Sequence, residues 1–306
     1  MSSDRRPPES PVVSPEERLP YSKGLMAKAL MGTGLPPSRA YELAQMIEAE
    51  LVREHEELSA NQEHVYGVAA DVLAAEEGEQ AVRRLRRFQA LQEVDLPLIV
   101  LVGGATGTGK STITTEVAHR LGITRVTSTD FVRQTMRAFF SETFMPSIHF
   151  SSFEAGAAIP DAEGDPGARR VRGFLEQTRN VLVGVRAVLD RALTEGHSMA
   201  LEGVHVVPGL LPAALEGAIV CQCLITISDK EEHARHFYVR DADSEGLRPV
   251  EKYLDALADI RLLQDYLVQR ARETGVTVIE NRRREEAVDA VIRLVLDAFE
   301  RARVPA

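Results

Sequence analysis

The chain has 306 residues, a length that favours two domains with sizeable cores. Hydrophobic residues make up 44% and charged residues 27%, the balance of a globular protein, and no apolar run reaches the roughly 18 residues a bilayer span requires, which argues against disorder and against a membrane-spanning chain. A formal net charge of −10 argues against a general nucleic-acid binder, whose footprint is basic, yet leaves room for a small anionic substrate held by a local arginine cluster.

Residues 1–20 are rich in Pro, Ser and charge and lack an apolar signal core, so they read as a disordered tail of a cytoplasmic protein. From Tyr21 to about Glu93 the pattern is helical throughout. Leu25, Ala29 and Leu30 recur at helical spacing before the break at Gly32 and Gly34, and Pro36-Pro37 opens a second helix with the stripe Leu43, Ile47 and Leu51. Ser59-Ala-Asn-Gln62 fits a capping box for a third helix, whose buried face is Val65, Val68, Ala69 and Val72 and whose end is Gly78. The stretch with Arg83, Arg84, Arg86 and Arg87 reads as a solvated helix face leading to Pro97.

After Pro97 the period changes. Leu98–Val102 is a continuous apolar run, the pattern of a strand buried on both faces of a parallel sheet. A helix with Ile113, Val117 and Leu121 stacked at four-residue spacing follows, and Gly122 stops it. Further strands are expected at Val126–Ser128, Met199–Glu202, Ile219–Ile227 and Val276–Ile279, with helices at about Ala168–Glu195, Asp229–Arg240 and Val250–Thr274 between them. Strands alternating with helices give an α/β fold with a parallel sheet flanked by helices. The two cysteines, Cys221 and Cys223, alternate on one strand without a second ligand pair and read as core residues, not a zinc site.

Gly104-Ala105-Thr106-Gly107-Thr108-Gly109-Lys110-Ser111 satisfies G-x-x-x-x-G-K-[ST] between a predicted strand and a predicted helix. Glycines let successive N–H groups turn inward onto phosphate oxygens, and the helix start adds about half a positive charge at the same place. With Thr112 this segment is the candidate ATP site. Lys110 reaches the β- and γ-phosphates, and the Ser111 hydroxyl is suited to Mg²⁺.

Asp130 is expected just past the end of the second strand, beside the first, where its carboxylate can orient or deprotonate an acceptor hydroxyl. Arg133, one helical turn on, can hold substrate. Glu202 ends the next strand and can position the metal through water; His205, three residues later, is a further candidate for substrate binding. The polar segment with Arg240 and Arg248 at its shoulders reads as a lid that brings positive charge to the transferring phosphoryl group.

Taken together, Gly103–Thr112, Ser128–Arg133, Pro146–Ala155, Glu202–Gly209, Lys252–Leu267 and Val276–Asn281 resemble the 2-phosphoglycerate kinase family, over most of residues 97–285. The resemblance implies a P-loop kinase over residues 94–306, with a small phosphorylated acid as acceptor and His149, Ser151, Ser152 and Arg261 joining Arg133 to bind it. Lys110, Asp130, Arg240 and Arg248 would be the catalytic set, with ATP and Mg²⁺ bound. Residues 21–93 are similar to an ATP-cone, a small all-α nucleotide-binding module, on Tyr21–Gly24 and Ala40–Ala44. The basic hairpin that usually opens such a module is not evident, so nucleotide binding and a structural role both stay open for it. Asp-x-x-Arg by itself also admits a nucleoside, sugar or inositol phosphate acceptor, a phosphate cradle alone admits a non-catalytic ATP-binding regulator, and association of copies is left open by the sequence.

Overall fold

A computed structural model describes residues 19–54, 59–60, 62–159, 165–243 and 250–303. The chain divides into two compact units, Met1–Ala90 and Leu91–Ala306.

In the first unit, α1 (Lys23–Met31), α2 (Pro37–Glu54), α3 (Gln62–Glu77) and α4 (Glu79–Gln92, which runs into the second unit) follow the expected helical periods. Leu43, Ile47 and Leu51 are buried, as are Leu30, Val68 and Ala69. Two readings are corrected. Leu25 is exposed, because the buried face of α1 is made by Met26, Ala27, Ala29 and Leu30 and Leu25 lies off it. Ser59 is not a helix cap: β2 (Ser59–Ala60) pairs antiparallel with β1 (Leu19–Pro20), and α3 begins at Gln62. The expected tail therefore ends in a strand at Leu19; residues 1–18 lie outside the described residues.

The second unit is a five-stranded parallel sheet in the order β4 (Arg125–Ser128), β5 (Met199–Gly203), β3 (Leu98–Gly103), β6 (Ile219–Thr226) and β7 (Thr277–Glu280). Every residue of β3 and β5 is buried, which explains the unbroken apolar run of β3. On one face Val181, Val185 and Leu189 of α7 (Pro166–Thr194) cluster with Ile99, Leu101, Met199 and Leu201. The helices α5 (Lys110–Leu121) and α11 (Arg284–Arg303) lie against each other and against β5 and β6. Cys221 and Cys223 are buried free thiols, and burial pushes Cys221 up to about 12, so neither offers a thiolate to a metal.

The expected placement of β4 beside β3 is corrected: β5 lies between them. The register opposes Glu202 to Val102 on one side and to Ser128 on the other. Glu202 thereby comes next to both the glycine loop and the start of α6 (Thr129–Phe139). The expected helix over Val250–Thr274 is two, α9 (Val250–Asp255) and α10 (Leu257–Thr274), broken at Ala256. The helix expected from about Ala168 begins slightly sooner, since Asp165 caps α7 and Pro166 is its first residue.

Candidate active site

The loop from Gly104 to Gly109 joins β3 to α5, and Gly104, at φ +155°, shows why glycine is needed. A Cβ there would lie 2.6 Å from the Ile225 carbonyl oxygen and 2.8 Å from Thr108 Oγ1. The loop carbonyls are occupied one after another. Ala105 O accepts from Thr108 Oγ1 (3.0 Å) and Lys110 Nζ (3.2 Å), Thr106 O from His233 Nε2 (2.8 Å), and Thr108 O from Asn281 Nδ2 (3.0 Å). Gly107 O lies 3.0 Å from His236 Nδ1. With its carbonyls held by side chains, the loop is fixed in one shape, the kind that turns backbone N–H groups onto an anion. His233 and His236 come from α8 (Lys230–Asp243) and Asn281 from the residue after β7. None of the three was foreseen as a site residue, because they stand more than 120 positions from their partners and carry no motif. His233 is stacked on Phe237, and burial keeps its pKa below the ordinary histidine value, so it donates as the neutral Nε2–H tautomer.

Lys110, Ser111 and Glu202 line one side of a cleft of about 370 Å³ whose walls also include Asp130, Arg133, Ser151 and Ser152. Glu202 is 8% exposed. Its Oε1 accepts from Ser111 Oγ at 2.9 Å, and its Oε2, 3.9 Å from Lys110 Nζ, has no hydrogen-bond partner. A buried carboxylate oxygen left open beside a hydroxyl, facing a phosphate cradle, is a hard-oxygen donor set of the kind Mg²⁺ takes, with substrate phosphates completing its shell. These residues therefore fit the metal.

Asp130 opens α6, capped by Ser128 Oγ on Phe131 N (3.0 Å), and its side chain is 60% exposed. Partial burial would raise its carboxyl, but the Arg133 guanidinium, 2.9 Å away through Nε and 2.7 Å through Nη2, outweighs this and holds it below the usual carboxylate range. Arg133 also donates to Ile148 O (2.8 Å) and Phe150 O (3.0 Å). Beside Ser151, Lys252 Nζ lies 3.4 Å from Ser151 Oγ and 3.1 Å from Glu154 Oε2, a cation that the sequence did not single out for the site.

Three expected substrate contacts are placed away from the cleft lining. His205 is fully buried between Thr129 and Gln177, and desolvation, helped by the Arg133 charge, pushes it down to about 3, so it is neutral and walled off from the cleft. His149 Nε2 lies 2.9 Å from Phe140 O, outside the cleft lining. Arg261 donates to Ile227 O (3.3 Å) and Ser228 O (2.8 Å), closing the end of β6 rather than facing the cleft. Arg248 lies outside the described residues, and Arg240 is on α8 with its side chain outside them.

A parallel sheet, a glycine cradle on a helix start and a neighbouring carboxylate–guanidinium pair in one cleft define a P-loop kinase, an enzyme that moves a phosphoryl group from ATP. Among curated proteins the chain is similar to the 2-phosphoglycerate kinase of Methanopyrus kandleri, 35% identical over 290 residues, or 93% of this chain and 86% of that protein. It is likewise similar to those of Methanothermobacter thermautotrophicus, 37% identical over 278 residues (90% and 89%), and Methanocaldococcus jannaschii, 35% identical over 284 residues (91% and 88%). The chain belongs to the 2-phosphoglycerate kinase family. No family model matches it. Among solved structures, TT1252 from Thermus thermophilus matches with a TM-score of 0.39 at 21% identity, over 69% of this chain and 100% of that one, too distant a likeness to add weight. Among the described residues no helix is long and apolar enough to cross a membrane.

Proposed function

We propose that the chain transfers the γ-phosphoryl group of ATP to the free hydroxyl of 2-phosphoglycerate, giving 2,3-bisphosphoglycerate and ADP. The observation that carries this reading is the shared cleft: the cradle residues Lys110, Ser111 and Glu202 and the acceptor-side residues Asp130, Arg133, Ser151 and Ser152 line one cavity. The relatives' names support the choice of acceptor. The oxygen of the acceptor hydroxyl bonds to the γ-phosphorus as the bond from that phosphorus to the bridging oxygen of ADP breaks. The hydroxyl proton leaves towards Asp130 and solvent.

Each side chain has a definable task. Lys110 spreads the charge of the β- and γ-oxygens, and the loop amides hold the same groups from the other side. Asp130, kept ionised by Arg133, is a weak base; it aligns the hydroxyl rather than stripping it, which suits a loose transition state that asks for little proton removal beforehand. Arg133, Lys252 and the two serines supply donors for an acceptor carrying both a carboxylate and a phosphate. Ser111 and Glu202 would hold Mg²⁺, which supplies charge neutralisation at the bridging phosphates when bound. The lid role of Arg240 and Arg248 remains part of the proposal. A cytoplasmic setting, with neither nucleic acid nor membrane as partner, goes with so small an anionic substrate.

The test is ADP release by the purified chain with MgATP and a panel of acceptors, with the product read by phosphorus NMR. A bisphosphate formed from 2-phosphoglycerate is expected. Rapid turnover on a neutral sugar or nucleoside, with none on 2-phosphoglycerate, would end this reading.

A further inference from the structure

Behind the acceptor side of the cleft the polar side chains form a closed circuit. Starting at Asp130, Oδ1 accepts from Arg133, and Arg133 Nη1 donates to Phe150 O. Phe150 O also accepts from Gln177 Nε2 at 3.0 Å, and the same nitrogen donates to Ser147 O at 2.6 Å. With its amide nitrogen committed to two carbonyls, Gln177 presents Oε1, which can only accept, to His205 Nε2 at 3.0 Å. His205 Nε2 therefore carries the proton. Nδ1 is left with its lone pair and accepts from Thr129 Oγ1 at 2.9 Å. Thr129 immediately precedes Asp130, so the circuit closes on the residue where it began.

We propose that this ring of hydrogen bonds through Thr129, His205 and Gln177 fixes where the Asp130 carboxylate stands, which makes His205 and Gln177 positioning residues for phosphoryl transfer; the inference rests on the function proposed above. Thr129, His205 and Gln177 are all fully buried, and each of their side-chain donors in the circuit has an acceptor. His205 stacks on Phe174, ring centroids 6.2 Å apart, which fixes the ring plane. A polar cluster serving only the fold could sit anywhere in the core. This one holds Asp130 from both sides, by the backbone through Thr129 and by the carboxylate through Arg133. A neutral, tautomerically fixed histidine suits such a task because it carries no charge that competes with Arg133 for the carboxylate.

The experiment combines kinetics with spectroscopy on the full chain. In ligand-free protein, nitrogen NMR is expected to show His205 as the Nε2–H tautomer, untitrated between about pH 8 and pH 5. Thr129→Val and His205→Met are each expected to lower kcat about 10–100-fold, the scale of a displacement on the order of 1 Å, with KM for ATP changed by no more than about twofold. The double variant is expected to be no slower than the worse single, because either change opens the same ring. His205→Gln, able to accept from Thr129 and donate to Gln177, is expected to recover most of the rate, and Thr129→Ser to stay near wild type. If His205→Met fails to fold, the threonine pair and His205→Gln still decide the matter. An Nδ1–H tautomer, losses that multiply in the double variant, or a Thr129→Val enzyme as fast as wild type would each overturn the proposal. A wild-type chain idle on 2-phosphoglycerate would sink the acceptor assignment; the tautomer then decides the ring alone.

Discussion

Gly203 gives the sharpest test of how the end of β5 sets the chemistry. It ends β5 at φ +152°, a conformation other residues rarely adopt, and a Cβ built there falls 1.9 Å from Thr129 Oγ1, where ordinary contact begins at 3.4 Å. Gly203→Ala therefore forces the start of α6 away by about 1.5 Å, or twists β5. Backbone strain of about 1–3 kcal/mol and overpacking of similar size add to about 2–6 kcal/mol of lost stability. For a unit of this size that is a fall in Tm of about 5–20 °C. Asp130 follows Thr129, and a shift on the order of 1 Å is expected to cost about 10²-fold in kcat. KM for ATP should hardly move, because the loop carbonyls are held from α8 and Asn281 rather than from α6. Calorimetry and steady-state kinetics at saturating ATP measure both. A Gly203→Ala enzyme with unchanged Tm and kcat would refute the claimed contact, and one that lost ATP affinity with kcat intact would refute the separation of cradle from acceptor wall.

Lys110→Ala is expected to lower kcat by about 10²–10³-fold without loss of fold, checked by ADP release and circular dichroism. Glu202→Gln keeps the shape but removes a charge, and should raise the Mg²⁺ concentration for half-maximal rate about tenfold or more, read by magnesium titration at fixed ATP. Asn281→Leu strips the donor from Thr108 O, and KM for ATP should rise about 3–30-fold as an unpaired buried carbonyl loosens the loop. Stability should also depend on pH through His205. Its folded pKa lies near 3 against an ordinary value of 6.5, so the unfolded chain takes up the proton first as pH falls. This contribution is complete above about pH 6.5 and declines below it, by about 2 kcal/mol between pH 7 and pH 5. Urea unfolding at both pH values measures it, and His205→Gln should flatten that part of the slope.

The sequence announced the cradle because its chemistry is local: glycines, lysine and serine within eight residues, with a buried strand before and a helix after. The buried run of β3 and the stripe Ile113, Val117 and Leu121 were legible for the same reason. Strand order was not, since local patterns say that β3 and β4 are both strands and nothing about β5 coming between them. His205 was read as a ligand because a histidine after a strand end looks available. Only the packing of Gln177, 28 positions earlier, and of Phe174 reveals that it is enclosed. Ser59 misled through a local cap signal that strand pairing with Pro20 outweighs. The clamp residues His233, His236 and Asn281 are set by tertiary contacts alone.

The strand order also bears on how the molecule comes together during synthesis. The segment from β3 through α5 to β4 is complete by residue 128, yet β3 and β4 share no ladder, and the strands that pair with β3 arrive only at residues 199–203 and 219–226. A nascent chain cut short before β5 would carry the whole glycine motif and no sheet to hold it, so nucleotide affinity should appear late on the ribosome and all at once, as the central strand gains both neighbours.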